Sequence, residues 1–341
     1  MTRPRIVHLV DDTTAGGVMR VIDHLISSDL LAAAAEHVVL PVDRGRVSFK
    51  AHAADLLVSH LAISWRALPM LVALRLRHPS IPVIHVEHSY TEGFVAANVT
   101  HKSRFATLLW VAYRMFTRVV AVSREQGRWL RSSGAVPAKS LRVIRSCVDL
   151  SAFRSLDPVR RPVRVIGAIG RLDRQKGFDT LIRAFRALPD PGLALHVYGE
   201  GAEEASLRHI AGDDSRIQFR GFSADPVSAM AEVDAVAMPS VWEAYGLVAI
   251  EALAAGRHLL VQDIDGLKDH VPFGARSVCG DAVEDWRNAL QSLIEESQAG
   301  EHAPDRIQSC DFEDAFSARW RQIVNEVLPA MTADHQLPVR A

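Results

Sequence analysis

The chain has 341 residues, 48% hydrophobic and 23% charged, with a formal net charge of -1. That balance excludes a disordered chain and an overall electrostatic binder of nucleic acid, and the length predicts two domains, each with its own core. Three scattered cysteines, Cys147, Cys279 and Cys310, exclude a disulfide framework and a cysteine zinc site and suit a reducing cytoplasm.

The opening MTRPRIVHLVDD lacks a signal-peptide shape, because its apolar run is short and two aspartates follow at once. No stretch approaches the roughly eighteen apolar residues needed to cross a bilayer, so a cytoplasmic protein, soluble or peripheral on the inner face of the membrane, is expected. Short apolar runs then read as buried strands: IVHLV (6–10), DLLVS (55–59), VIHVE (83–87), VVAVS (119–123) and LRVI (141–144). Helical patterns lie between them, over 17–27 and 64–76 for example. The alternation restarts with VRVIGAIG (163–170), LALHVYG (193–199), IQFRG (217–221), DAVAMPS (234–240) and HLLVQ (258–262). Such alternation predicts an α/β chain with parallel sheets covered on both faces, in two doubly wound Rossmann-like domains. The Pro- and Arg-rich stretch near 151–162 predicts the join. The expected division is an N-terminal domain over 1–155, a second domain over 156–311, and a last helix over 312–330 packing back on the first.

Charge is not evenly spread. Residues 1–160 hold 21 Lys+Arg against 12 Asp+Glu, and ten basic residues with one acid, Glu125, fall between Lys102 and Arg145. A helix is predicted over 103–118. Phe105, Leu108, Leu109, Ala112 and Phe116 recur at core spacing, and Trp110, Tyr113, Arg114, Thr117 and Arg118 form a second stripe. Aromatic plus basic on one face suits an anionic membrane surface, so residues 102–145 are read as a membrane contact. Solvated arginines beside a partly buried aromatic are the plainer account, as is attraction between two oppositely charged domains.

In open parallel sheets ligands bind beyond the carboxyl ends of strands. After the first strand, Gly16 and Gly17 open a helix, where bare backbone meets an anion or simply makes a turn. His88 ends the third strand at the ligand edge, although a lone histidine is often structural. Arg171 and Lys176 bracket the turn after VRVIGAIG, into a helix starting near Lys176, and two cations there suit a diphosphate. In PSVWEAYGLVAIEALAAG (239–256), Glu243 precedes a helix and Glu251 lies in its second turn. Two carboxylates flanking free helix amides suit sugar hydroxyls beside phosphates; a capping carboxylate and an incidental ion pair are the alternative. Neither GxGxxG nor a P-loop occurs.

GRL…KGFDTLIRAF (170–185), HVYGEG (196–201), RGF (220–222) and the E-x7-E pair Glu243 and Glu251 together resemble the retaining, two-Rossmann-domain glycosyltransferases of the group 1 family, family 4. SCVDLSAF (146–153) departs from that family's Asn-Gly-Val-Asp at Ser146 and Cys147, and Asp269 stands where Glu is common. The resemblance implies a GT-B fold, two domains facing each other across a cleft, the N-terminal one binding the acceptor and the C-terminal one the nucleotide sugar. It further implies that Gly16 and Gly17 lie near the donor diphosphate and reacting sugar, and that Arg171 and Lys176 neutralise the leaving diphosphate. Glu243 would hold the donor sugar, near the amides of Tyr245, Gly246 and Leu247. Glu251 would hold the ribose, His88 would stand beside the reacting centre, and residues around Gly170, Gly199, Arg220 and Phe222 would border the nucleotide.

The implied reaction moves a hexose from a nucleoside-diphosphate sugar, UDP-sugar ahead of GDP-mannose, to a hydroxyl of a carbohydrate or lipid-linked envelope glycan. No metal, no cofactor other than the donor substrate and no nucleic acid partner is expected. A sugar-nucleotide 2-epimerase of the same architecture, or a non-catalytic sugar-nucleotide-binding subunit, are the rival readings.

Overall fold

The computed structural model describes residues 3–14, 16–43, 54–300, 307 and 311–328. Cys310 and residues 329–330 of the expected last segment lie outside these. The chain divides into two compact units, one of residues 1–90, 99–148 and 310–341, the other of 91–98 and 149–309.

The first unit holds a six-stranded sheet. Its strands are β1 (Arg5–Val10), β2 (Glu36–Pro41), β3 (Leu56–Ser59), β4 (Val83–Glu87), β5 (Arg118–Ala121) and β6 (Leu141–Val143), in the order β2-β1-β3-β4-β5-β6. Every neighbouring pair is parallel. The second unit holds β7 (Val165–Ile169), β8 (Ala194–Tyr198), β9 (Ile217–Gly221), β10 (Ala235–Met238), β11 (His258–Gln262) and β12 (Arg276–Val278), in the order β12-β11-β10-β7-β8-β9, again all parallel. Counted from its own first strand, that is the 3-2-1-4-5-6 order of a doubly wound dinucleotide-type sheet. The direction of winding reverses between β7 and β10, so the loops after those two strands flank the crevice where such sheets bind ligands. In the first sheet the reversal falls between β1 and β3.

Two strands are absent from the sequence pattern. β2 and β12 lie at sheet edges, and neither carries the continuous apolar run that marks a strand buried on both faces.

The helix predicted over 103–118 is shorter, Lys102–Tyr113. Arg118 is drawn into β5 opposite Ile84, and the 114–117 turn that this requires ends the helix. The second stripe therefore does not exist as one face. Tyr113 is fully buried and donates its hydroxyl to Glu87 at 2.7 Å, Thr117 Oγ1 accepts from the Val83 amide at 3.1 Å, and Arg118 meets Glu326 at 3.4 Å. Trp110 remains half exposed, with the Arg114 guanidinium 3.8 Å from its ring centroid. The core stripe of Leu108, Leu109, Ala112 and Phe116 is buried as the spacing requires.

Helix Asp311–Val327 packs in the first unit. Phe316, Trp320 and Ile323 are its buried face, Ser317 bonds Ser28 at 2.9 Å, and Glu326 accepts from Arg142 Nη2 at 2.7 Å.

Candidate active site

In the second unit the loops after β7, β8 and β10 are knitted together by backbone. The Gly170 amide donates to Tyr198 O at 3.0 Å, Leu172 N to Glu200 O at 2.9 Å, and Val241 N to Gln175 O at 2.8 Å. Two glycines make the approach feasible. At Gly199 (φ +135°) a Cβ would fall 1.9 Å from Gly170 O, and at Gly177 (φ +63°) it would fall 2.2 Å from Pro239 O. Any side chain there would push the adjoining loops apart.

Lys176 lies on a 3-10 turn, Arg174–Lys176, and the helix predicted near it begins at Phe178, because Gly177 breaks the turn in the left-handed region. Lys176 Nζ reaches Glu243 Oε2 at 2.5 Å, joining the loop after β7 to the loop after β10. Both side chains are largely shielded from water, which strengthens the pair. Gln175 Nε2 adds a bond to Trp242 O at 3.0 Å. Arg171 projects outward, 76% exposed, with Asp173 and Gln175 each at 3.4 Å.

Gly246 (φ +88°) turns the chain into helix Leu247–Ala254, so the amides of Leu247 and Val248 open a helix pointing into this loop cluster. Tyr245 is buried, and its carbonyl accepts from His270 Nε2 at 2.8 Å. Helix Leu247–Ala254 is apolar on nearly every side and buried from Ala249 to Ala254, Glu251 included. A buried carboxylate among Ile250, Ala252 and Leu253 is costly and signals a dedicated task.

Arg220 lies on β9. Arg220 bonds Glu232 at 2.9 Å, and Tyr198 donates to the same carboxylate at 2.6 Å. Burial and that carboxylate push the Tyr198 hydroxyl above its ordinary value. Phe222, just beyond β9, is 61% exposed.

One residue of this cluster escaped the sequence reading. Asp265 sits at φ +36°, unusual for a residue with a side chain. Its carboxylate accepts from Thr91 Oγ1 at 2.6 Å, from the Gly93 amide at 3.0 Å and from the Glu243 amide at 3.3 Å. It thereby ties the 91–98 excursion to the Glu243 loop. Its only sequence signal is an Asp-Gly pair, common to any turn. Asp269, the position read as a departure from the family pattern, is buried in the 3-10 segment Asp265–Phe273.

Gly16, Gly17 and His88 belong to the first unit. Gly16 caps helix Gly17–Ser27 immediately beyond β1, in extended backbone. His88 follows β4. Its loop is held by buried Glu87, whose Oε1 accepts the Ser89 and Tyr90 amides at 2.8 and 2.9 Å while Oε2 accepts from Tyr113. Burial opposes charge on Glu87, but the hydrogen bonds from His85 and Tyr113 win and hold its carboxyl below the usual range. Gln126 Nε2 adds bonds to Glu87 O at 3.1 Å and Tyr90 O at 2.9 Å. Burial depresses His88 to about 4, which keeps its imidazole neutral near pH 7. His60 Nδ1 lies 2.9 Å from His88 Nε2. Among the described residues, no group of three or more His, Cys, Asp or Glu is arranged to hold a metal ion.

Both units are doubly wound α/β sheets, and the Lys176–Glu243 cluster sits at a winding switch point. Comparison with known proteins agrees with the fold. Residues 163–296 match the family model described as glycosyl transferases group 1, and residues 31–152 match the one described as Glycosyltransferase Family 4. The chain belongs to the group 1 glycosyltransferases of GT-B architecture.

It is 28% identical over 248 residues to the D-inositol 3-phosphate glycosyltransferase of Nocardia farcinica, covering 63% of this chain and 54% of that protein. It is 32% identical over 209 residues to the same-named protein of Rhodococcus opacus, covering 52% and 46%. The matched stretch spans about half the length of these curated relatives. Among solved structures, Anabaena HepE, described in complex with UDP and glucose, superposes with a TM-score of 0.74 at 18% identity over 96% of this chain and 100% of that one. WaaG, described as involved in lipopolysaccharide biosynthesis, gives 0.66 at 14% identity over 96% and 98%.

Proposed function

We propose that this protein transfers a hexose from a nucleoside-diphosphate sugar to an acceptor hydroxyl, with retention of anomeric configuration. The observation that carries the reading is the Lys176–Glu243 pair beside the amides of helix Leu247–Ala254 at the β7/β10 switch point. A cation and free helix amides suit a diphosphate, and an adjacent carboxylate with a second oxygen to spare suits sugar hydroxyls. As the glycosidic bond breaks, negative charge grows on the departing phosphate. Lys176, Arg171 and the helix amides would stabilise it, and such preorganised electrostatics is usually the largest catalytic term. They supply that positive charge without a metal ion. No nucleophile is assigned; front-face attack, with the leaving oxygen taking the acceptor proton, is the route this arrangement supports.

UDP-hexose is the preferred donor and GDP-mannose the runner-up. The HepE complex with UDP and glucose supports that order. A thermal-shift panel of UDP, GDP, UDP-glucose and GDP-mannose tests it, because a ligand of the native state raises apparent stability by mass action. A rise with UDP compounds is expected; no rise with any of the four overturns the reading. New sugar nucleotide formed without an acceptor would favour an epimerase instead.

The acceptor is a lipid-linked glycan at an anionic membrane. Two aromatic–arginine pairs support this, Trp110 with Arg114 and 42%-exposed Trp65 with Arg104, whose guanidinium lies 5.5 Å from the indole centroid. No described helix is long and apolar enough to cross a membrane. Co-sedimentation with anionic vesicles, lost in Trp110→Ala with Arg114→Ala, checks the contact; equal binding to neutral vesicles would count against it.

A further inference from the structure

Glu243 is held at both ends. Its side chain reaches Lys176. Its backbone is gripped by two consecutive residues further along the chain. The Glu243 amide donates to Asp265 Oδ2 at 3.3 Å, and the Gly266 amide donates to Glu243 O at 3.0 Å. Close packing makes this grip possible. A Cβ at Gly266 would fall 2.0 Å from Ala244 O, so only glycine lets the two segments lie this near. Leu267, fully buried, continues the contact, and a Cβ at Gly246 would fall 2.8 Å from its Cδ2.

Among the described residues, Asp265 is the one residue other than glycine with a positive φ, at +36°. Such backbone is uncommon for a residue with a side chain and persists where the surrounding contacts over-determine it. Here they do. Oδ2 accepts both the Glu243 amide and Thr91 Oγ1, the latter at 2.6 Å, and Oδ1 accepts the Gly93 amide at 3.0 Å. Both oxygens are engaged within the protein, so the carboxylate serves to hold other groups and not to meet a ligand.

Thr91 and Gly93 lie at the start of helix Glu92–Asn98, in a segment that belongs to this unit. A Cβ at Gly93 would fall 2.5 Å from Asp265 Oδ2 and 3.2 Å from Val241 O. Phe94 meets Trp242 edge-on, their ring centroids 6.0 Å apart. The segment thus packs against the loop that carries Glu243, and Asp265 joins the two.

We infer that Asp265 and Gly266 are positioning residues: they fix the Glu243 backbone so that its carboxylate is preset for the hexosyl group of a nucleoside-diphosphate sugar. A group ordered before its ligand arrives need not be ordered on binding. Lys176 and the amides of helix Leu247–Ala254 serve the diphosphate, so loosening the grip should cost the sugar's share of donor affinity and spare the rest. The grip stands on the geometry of this unit alone; its bearing on the donor rests on the function proposed above.

Two variants loosen it from opposite partners. Asp265→Asn keeps the size of the side chain and its tolerance of left-handed backbone, but turns one acceptor oxygen into an NH2 donor facing other donors. Gly93→Ala pushes the Asp265 carboxylate aside from a helical position where alanine is itself favourable. The first readout needs no ligand: hydrogen exchange by mass spectrometry on the full chain. In both variants, peptides covering 240–245 and 91–98 should exchange about tenfold faster, with those of β7 and β8 unchanged. Unchanged exchange in the two segments overturns the inference. The second readout is isothermal titration with UDP and UDP-glucose. Both variants should bind UDP-glucose about tenfold more weakly and UDP within about twofold of wild type. Equal weakening of the two ligands would mean general damage to the unit, and unweakened UDP-glucose would mean that Glu243 needs no such support; either refutes the role. Faster exchange in the variants of a protein that binds neither ligand as wild type would keep the grip on Glu243 and reject the donor reading.

Discussion

Arg171 and Lys176 look alike in the sequence, two cations bracketing one turn, but the fold gives them different surroundings. Lys176 is engaged with Glu243, whereas Arg171 is mostly solvated. Removing Arg171 should therefore leave stability alone and act on chemistry. Arg171→Ala is expected to lower kcat about 10²–10³-fold with Tm within a degree or two of wild type; turnover close to wild type would contradict its role at the leaving group. Gly199 is the opposite case. Gly199→Ala places a Cβ on Gly170 O in a backbone region that L-residues avoid, so a loss of at least about 2 kcal/mol in chemical denaturation is expected.

At the scale of elements, helix Asp311–Val327 is joined to the sheet of its unit by an apolar face and one carboxylate. Trp320 is buried beside Phe316, their centroids 6.3 Å apart. Trp320→Ala should cost about 3–5 kcal/mol, read as a shift in denaturant midpoint. Glu326 accepts from Arg142, which chiefly holds its carboxyl below the usual range, with Arg118 helping. A depressed carboxyl stabilises the fold above its unfolded pKa, and that contribution is lost as pH falls through the folded value. Glu326→Gln should thus cost about 1 kcal/mol at pH 7, and the two proteins should converge in acid. A gap that persists at pH 3 would show that the ion pair is not the cause.

Across the whole molecule, the buried histidines make the first unit acid-sensitive. His8 and His88 titrate near 3 and 4 when folded, against an ordinary value of 6.5. Between those limits the unfolded chain binds more protons, so stability rises with pH over that window and falls on acidification toward pH 4. Denaturant midpoints at pH 7.5 and 5 should differ accordingly. In the double variant His8→Leu, His60→Leu the slope should flatten, even where the midpoint at pH 7.5 drops; an unaltered slope would place the acid sensitivity elsewhere.

Much was legible locally. Strands buried on both faces write themselves as short β-branched apolar runs, and β11 falls where HLLVQ predicted it. Lys176 and Glu243 stand out because they are charged residues in loops after such strands, where they have little structural purpose, whereas Gly170 and Gly246 come only with the resemblance. Edge strand β2 was not, because half-solvated strands lose that apolar signature. Nor was the end of helix Lys102–Tyr113, because nothing local to Arg118 reveals its partner strand. The Asp265 contact to Thr91 spans 174 residues, and the contacts of His8 with His37 and of His60 with His8 and His88 join positions 28 to 52 residues apart. Composition and periodicity by themselves determined the element types, the parallel sheets and the loops that bear charge, since these depend on interactions within a turn or a strand. Strand order and register decided which distant side chains meet, because hydrogen-bond and ion-pair energies fall away over a few ångströms and only the folded sheet brings those atoms so close.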